Sequence, residues 1–258
     1  MKIYTDNKQN HVILPGREKA FEQFINSTHN GEKHKLKNSF SSNSEDALTW
    51  SCFDVLAQFP IQQKITALNE ILSHAYDDEQ AIFSFEHEQN IRIDVGKTYK
   101  PLTLNEETEV DASIETDKKI VFIEAKLYSS ISLKDSTHDY DQIARKLRVG
   151  LKYALENNLE FYFLFLDIAP MEKLYDFIKE VKCKENAEQH PTAKWKSAWW
   201  FKYYKNGANG SFRPLKEALL DCLPSDNQEI IISNISKNMG WLVWSDLYKI
   251  ILRGAITK

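Results

Sequence analysis

At 258 residues with 42% hydrophobic and 12% aromatic content, the chain can bury a full core as one large domain or as a domain with an appendage. A formal net charge of −4 excludes a protein that coats nucleic acid, though not one that grips it locally. The polar start MKIYTDNKQN and the lack of a membrane-length apolar run argue against a signal peptide or a transmembrane helix, so the cytoplasm is the expected location. In chain order, Arg17 to Ser27 reads as a short amphipathic helix and the stretch to Asn43 as a polar loop; residues 1–44 thus precede the main region at 45–258, with no firm boundary between them. Glu45 to Gln58 predicts a helix that ends before Pro60, and Gln62 to Ala75 a second one. Strands are expected at Ala81 to His87, Ile91 to Val95, Glu107 to Glu115 and Lys119 to Leu127. After a serine-rich loop at 129–137, His138 to Asn157 predicts a long helix. Glu160 to Asp167 is a continuous apolar run, as expected of a central strand buried on both faces, and the crossover helix before it predicts a parallel pairing. Helices are expected at Pro170 to Lys182, Pro214 to Asp221, Asn227 to Asn238 and Trp241 to Arg253. The fold class is α/β, a mixed central sheet flanked by helices with extra helices toward the C-terminus.

The chemistry concentrates between Thr108 and Lys126. Side chains alternate along a strand, so Glu109, Asp111, Ser113 and Glu115 are expected on one face and Val110, Ala112 and Ile114 on the other. A two-residue turn at Asp117 and Lys118 would pair Thr116 with Lys119 and, further along, Asp111 with Glu124. Opposed like charges destabilise a strand pair, their β-carbons ~5 Å apart, so positive charge is expected beside them. Lys126 supplies one such charge and a divalent cation the rest.

An aspartate on one strand followed by Glu-x-Lys on the next resembles the PD-(D/E)xK superfamily of restriction-endonuclease-like nucleases. Here the pattern is Val110-Asp111, a twelve-residue gap, then Glu124-Ala125-Lys126, without the proline that names the family. Glu45 opens a helix upstream, where the family commonly carries an acid that faces the metal. It shares a helical face with Leu48, Cys52 and Leu56. Gln142, at the start of the helix after the second strand, matches a glutamine carried by many relatives. The resemblance spans about residues 45 to 168. It implies a Mg²⁺-dependent DNA nuclease, with Mn²⁺ as a substitute, in which Asp111, Glu124, Glu45 and the Ala125 main-chain carbonyl hold metal. Lys126 would act on the attacking water, and Gln142 would position that water or a phosphate. An RNA-directed or structure-specific nuclease and a catalytically silent nucleic-acid-binding or protein-binding member are the alternatives. A homodimer is one admissible assembly.

Those residue types suit the reaction. Phosphodiester hydrolysis needs a water made nucleophilic near neutral pH and positive charge at the phosphorus, and Mg²⁺ supplies both while taking only one or two carboxylates. Arg145, Lys146 and Arg148 on the long helix, with Lys194 and Lys196 in the aromatic-rich stretch at 194–205, are candidate nucleic-acid contacts. The reading favoured for Trp195, Trp199 and Trp200 is core packing. Cys52, Cys183 and Cys222 are scattered, and seven histidines show neither HxH nor HxxxH spacing, so no zinc site or disulfide framework is indicated. Cys52 and Cys222 fall in helical patterns and are expected in the core.

Overall fold

Strands β1 (Arg92–Tyr99), β2 (Thr108–Glu115), β3 (Lys119–Ala125), β4 (Glu160–Asp167) and β5 (Met239–Val243) form one sheet in the order β1-β2-β3-β4-β5. The first three make an antiparallel meander, whereas β4 lies parallel to β3 and β5 parallel to β4. The computed structural model describes residues 3, 6, 14–28, 39–41, 43–76, 83–127, 129, 131–136, 139–168, 201–205 and 212–256. Helices α1 (Glu18–Ile25), α2 (Glu45–Gln58) and α3 (Ile61–Ala75) precede the sheet, and α4 (Gln142–Glu156) connects β3 to β4. Helices α5 (Arg213–Leu219) and α6 (Gln228–Lys237) lie between β4 and β5, and α7 (Trp244–Ile256) follows β5. No described helix is long and apolar enough to cross a membrane.

Alternation along β4 builds both layers of the core. Phe161, Phe163 and Phe165 join Phe122, Leu147 and Leu151 of α4, Leu215 and Ile232 on one face. On the other, Tyr162, Leu164 and Leu166 join Phe53 and Leu56 of α2, Leu68 and Ile71 of α3, and Leu247 and Ile251 of α7. Burial on both sides is what a continuous apolar run requires of a central strand. The α4 backbone approaches β4 closely at Gly150, where an added Cβ would lie 2.2 Å from the Phe161 ring. Helix α1 docks on α2 through Phe21 against Trp50, ring centroids 4.9 Å apart, and through an Arg17–Asp54 ion pair. Cys52 and Cys222 are buried free thiols, as their helical patterns suggest.

Local signals account for the helix boundaries. Ser44 caps α2 by accepting the Ala47 N–H, and Phe59 is extended ahead of Pro60. Asp141 caps α4 by accepting the N–H groups of Ile143 and Ala144, so the helix starts at Gln142 and not at His138. Other expectations fail. Residues 83–87 form a turn, not part of a strand: the Phe85 N–H is satisfied by the Asn69 side chain at 2.8 Å, which removes the need for a ladder partner. Residues 239–243 are strand β5, so the helix expected from Trp241 starts only at Trp244, because five apolar residues beside β4 gain a full parallel ladder. The helix expected at 170–182, Cys183 and the residues from Lys194 to Trp200 lie outside the described residues. Residues 201–205 are helical and bury Phe201 and Tyr204.

Strand alternation also breaks in one place. Val110 joins Phe122 on the α4 face, yet Ala112 and Ile114 lie on the opposite face, so the expected grouping of all three fails. Across the pairing, Val95 opposes Ala112 and Lys97 opposes Val110, which puts Gly96 opposite Asp111. Gly96 has φ +65°, a left-handed conformation that costs a non-glycine residue ~1–2 kcal/mol. Both strands change face there together, so β2 is re-aimed at Asp111.

Candidate active site

The β2–β3 turn fixes the site. Thr116 N–H donates to the Lys119 carbonyl at 2.9 Å, and the ladder pairs Glu115 with Ile120 through to Ala112 with Ile123. The ladder ends there; beyond it the Ala125 N–H donates to Asp111 Oδ2 at 2.7 Å, which brings Asp111 beside Glu124. Because β2 and β3 are antiparallel, Asp111 near the start of one strand meets Glu124 at the end of the other.

Two ammonium groups flank Glu124, which has no exposed surface. Lys126 Nζ lies 2.6 Å from Oε1, and Lys146 Nζ, reaching down from α4, lies 2.5 Å from Oε2. Both contacts are close ion pairs that hold the carboxylate charge in a site without solvent. Lys146 also donates to the Glu109 carbonyl at 2.7 Å. From the first turn of α2, Glu45 Oε2 accepts the Leu127 N–H at 2.6 Å and the Ser129 hydroxyl at 2.7 Å, with its Oε1 3.5 Å from Lys126. The Trp244 indole N–H donates to the Lys126 carbonyl at 3.0 Å, and Lys126 N–H donates to the Leu166 carbonyl, so the Glu-x-Lys segment is held from both sides.

This packing separates the acidities. Burial and the neighbouring Glu124 charge push Asp111 up to about 8, although part of its surface stays accessible. Burial works in the same direction on Glu124, but Lys126 and Lys146 outweigh it and hold that carboxyl below its ordinary value. For Lys126, burial favours the neutral amine, yet Glu124, Glu45 and Asp111 together raise its pKa well above the ordinary lysine value. Lys126 is therefore a fixed cation at neutral pH and is poorly suited to take a proton from water.

Asp111, Glu124, Lys126 and Glu45 thus come together. Gln142 starts α4 one turn before Lys146, but its side-chain carbonyl accepts the Ser132 N–H at 3.2 Å and its own N–H donates to the Ser132 carbonyl, tying it to the preceding loop. The contact shown for Ala125 at the site is through its N–H. Among the candidate nucleic-acid contacts, Arg148 is corrected: at 1% exposure it is locked to Glu106, Asp221 and the Ala218 carbonyl and stacked over Tyr140. Lys146 is likewise buried and belongs to the carboxylate cluster. Arg145 is partly exposed, with a buried Nε that lacks a hydrogen-bond partner. Lys194 and Lys196 lie outside the described residues. The signal that could have placed Lys146 in the site is its i+4 spacing from Gln142, one turn inward on the same helical face.

Two carboxylates in opposed strand positions fit a magnesium-like ion, which needs no more from a protein. An Asp111 driven toward protonation by burial and by the Glu124 charge marks a cluster that would accept further positive charge. Among the described residues no group of three or more His, Cys, Asp or Glu side chains is disposed to hold a metal, so only a site with few protein ligands is compatible. Comparison of the chain with family models, with curated proteins and with solved structures finds no match.

Proposed function

We propose that the chain is a divalent-metal-dependent nuclease that hydrolyses DNA phosphodiester bonds on a restriction-endonuclease-like core. The observation that carries this reading is the pairing of a partly accessible Asp111 with the fully buried Glu124, with Lys126 on the same carboxylate. A buried carboxylate facing a second one is expensive to maintain, and a fold without use for it would do better with apolar side chains there. Asp111 and Glu124 would hold Mg²⁺ or Mn²⁺, with the Ala125 carbonyl as a further ligand. When bound, the ion supplies a Lewis acid that polarises the phosphate and lowers the pKa of a coordinated water. Lys126, fixed as an ammonium, stabilises the charge that develops on the phosphate oxygens instead of acting as a base. Glu45 holds Lys126 and the backbone of Leu127 in place from the start of α2. Arg145, partly exposed beside Lys146 on α4, is the described residue proposed to meet the DNA backbone.

One observation favours a second reading. Lys126 and Lys146 already offset the charge of Glu124, which suits a catalytically silent member that binds nucleic acid or a protein. Incubating the full chain with linear and circular DNA, and with single-stranded RNA, separates the two. The nuclease reading expects DNA cleavage that depends on Mg²⁺ or Mn²⁺ and disappears in Asp111→Ala. DNA binding without cleavage of either nucleic acid supports the silent binder, and RNA-only cleavage redirects the substrate.

A further inference from the structure

We propose that the cleft between the first turn of α3 and the β2–β3 turn is a second binding site and that it takes a nucleotide, with the phosphate at Lys64 and the base along Asn90 and Asp117. The cleft has a volume of about 440 Å³ and lies at the hairpin end of β2, away from the carboxylate cluster. Five residues of extended chain separate Asp111 from Thr116 in its wall, ~17 Å at ~3.4 Å per residue. A ligand held there touches none of the cluster's carboxylates, and the site stands whether or not that cluster cuts DNA. Its volume falls within the ~300–1,000 Å³ of small-molecule sites and far exceeds what an inorganic ion fills.

Charges in the lining set what each wall can hold. Its acids already have partners: Glu115 pairs with Arg92 at 2.6 Å and lies 3.6 Å from Lys97, and Asp117 accepts from the Asn90 amide at 3.0 and 3.2 Å. Lys64 has none. It is partly buried, no described acid lies within ion-pair reach, and burial alone draws its pKa below the ordinary lysine value. A desolvated ammonium without a counter-charge favours a ligand that brings an anion. Lys64 stands on α3 and Asp117 on the β2–β3 turn, with no ion pair between them. One ligand meets both only if it is elongated, with an anion at one end and hydrogen-bond donors at the other. A carboxylate offers about four lone-pair sites, so the bonds from Asn90 leave Asp117 able to accept ~two more, and Asn90 keeps its side-chain carbonyl as a further acceptor. Between these ends Ile61, 42% exposed, and Ile91 give the cleft an apolar surface suited to a flat ring. Anion, ring and donor-bearing edge are the parts of a nucleotide, whereas a bare phosphate or carboxylate would use Lys64 alone. Two sources share this chemistry, a free mononucleotide and an unpaired nucleotide of a nucleic-acid strand; a base-paired one hides the edge that Asp117 would bind.

The test is calorimetric titration of the full chain with AMP, GMP, CMP and UMP, each beside its nucleoside, for the wild type, Lys64→Met and Lys64→Arg, with circular dichroism to confirm folding. EDTA is present throughout, so that no divalent ion bridges a phosphate to the carboxylate cluster. The wild type is expected to bind at least one of the nucleotides ~10-fold or more tightly than its nucleoside, because the phosphate meets a partly desolvated ammonium. Lys64→Met should remove most of that preference and leave nucleoside affinity unchanged, and Lys64→Arg should keep it. Should the methionine variant fail to fold, Lys64→Gln carries the same test. Asp117→Ala should weaken nucleotide and nucleoside alike. A single-stranded oligonucleotide that the mononucleotide displaces identifies a nucleic-acid strand as the source; one that is not displaced, or does not bind, identifies the free nucleotide. Failure of all four nucleotides to bind the wild type overturns the proposal, as does a phosphate preference that survives in the folded Lys64→Met chain. Neither result bears on the carboxylate cluster, whose reading is tested by cleavage.

Discussion

Asp111→Asn should stabilise the metal-free protein while destroying its activity. Asp111 sits against Glu124, and burial together with that charge pushes its carboxyl up to about 8 from an ordinary 3.8. In the unfolded chain the group ionises at its ordinary value, so over the intervening range the native state binds the proton more tightly. The sign follows: this group's contribution is complete below about pH 4, and it is lost progressively as pH rises toward the folded value. Each pH unit between 3.8 and 7 contributes up to ~1.4 kcal/mol, which sets a ceiling of ~4 kcal/mol at neutral pH. Asp111 retains an accessible edge, so solvent relieves part of this and ~1–2 kcal/mol is the expected gain on removing the charge. Asparagine keeps the shape and, through its carbonyl, an acceptor for the Ala125 N–H. For a chain of this size the gain corresponds to a Tm increase of about 2–8 °C in EDTA at pH 7.5, read by calorimetry. The difference should shrink by more than half at pH 5. Saturating Mg²⁺ should reverse the order, because the wild type alone gains the free energy of ion binding, ~2.7 kcal/mol at a hundredfold excess over Kd. A lower Tm for Asp111→Asn in EDTA at pH 7.5 would refute the claim that the cluster lacks positive charge.

Other substitutions probe separate parts of the arrangement. Lys126→Met should lower DNA cleavage by ~10²–10³-fold and leave Mn²⁺ stoichiometry unchanged, since the ammonium is assigned to transition-state charge; cleavage at the wild-type rate in a folded variant would remove it from the mechanism. Arg148→Met should reduce stability by about 2–3 kcal/mol in urea denaturation and leave DNA affinity untouched. This guanidinium bridges Glu106, Asp221 and the Ala218 carbonyl at 1% exposure, while its acidic partners can recover solvent. Gly96→Ala should cost ~1–2 kcal/mol for its positive φ and also weaken Mn²⁺ binding, because the face change opposite Asp111 depends on that conformation; a stability loss with unaltered Mn²⁺ affinity would detach the kink from the site.

What could be read from the sequence follows the range of the interactions involved. The boundaries expected for Glu45 to Gln58 and Glu160 to Asp167 coincide with α2 and β4, because a serine cap, a following proline and an unbroken apolar run are local signals. The register of β2 with β3 from Glu115–Ile120 to Ala112–Ile123 is legible because a two-residue turn fixes it from nearby. Residues 83–87 misled because Phe83 and Phe85 supply strand-like alternation, yet their rings pack 5.1 Å apart on a turn whose backbone Asn69 satisfies. Strand β5 is five residues long, too short for its period to separate strand from helix, and only β4 beside it settles the matter. Lys146 and Arg148 show the same limit for charge. On an amphipathic helix a lysine or arginine looks solvated, and only partners distant in sequence, Glu124 for one and Glu106 with Asp221 for the other, draw it inward.

The site's position follows from the topology. Strand β3 is where the sheet changes from antiparallel to parallel pairing. The antiparallel neighbour brings the early residues of β2, and hence Asp111, to the C-terminal end of β3. The parallel neighbour requires a crossover that leaves from that same end, so the first turns of α4, and Lys146 with them, must pass over Glu124. On the opposite face α2 packs on β1 and β2 with its N-terminus toward Leu127, which delivers Glu45. Four chain segments therefore end or begin around one carboxylate, and each supplies a charge that the others compensate. An acid at position 124 could not be tolerated in the middle of β3, where Phe122 meets Phe161 and apolar packing is closed on both faces. At the strand's end the same acid is buried beside two carboxylates, Asp111 and Glu45, that keep part of their surface open to solvent. A buried carboxylate with an accessible partner is thus set at one point of the sheet, where the proposed metal ion would be held.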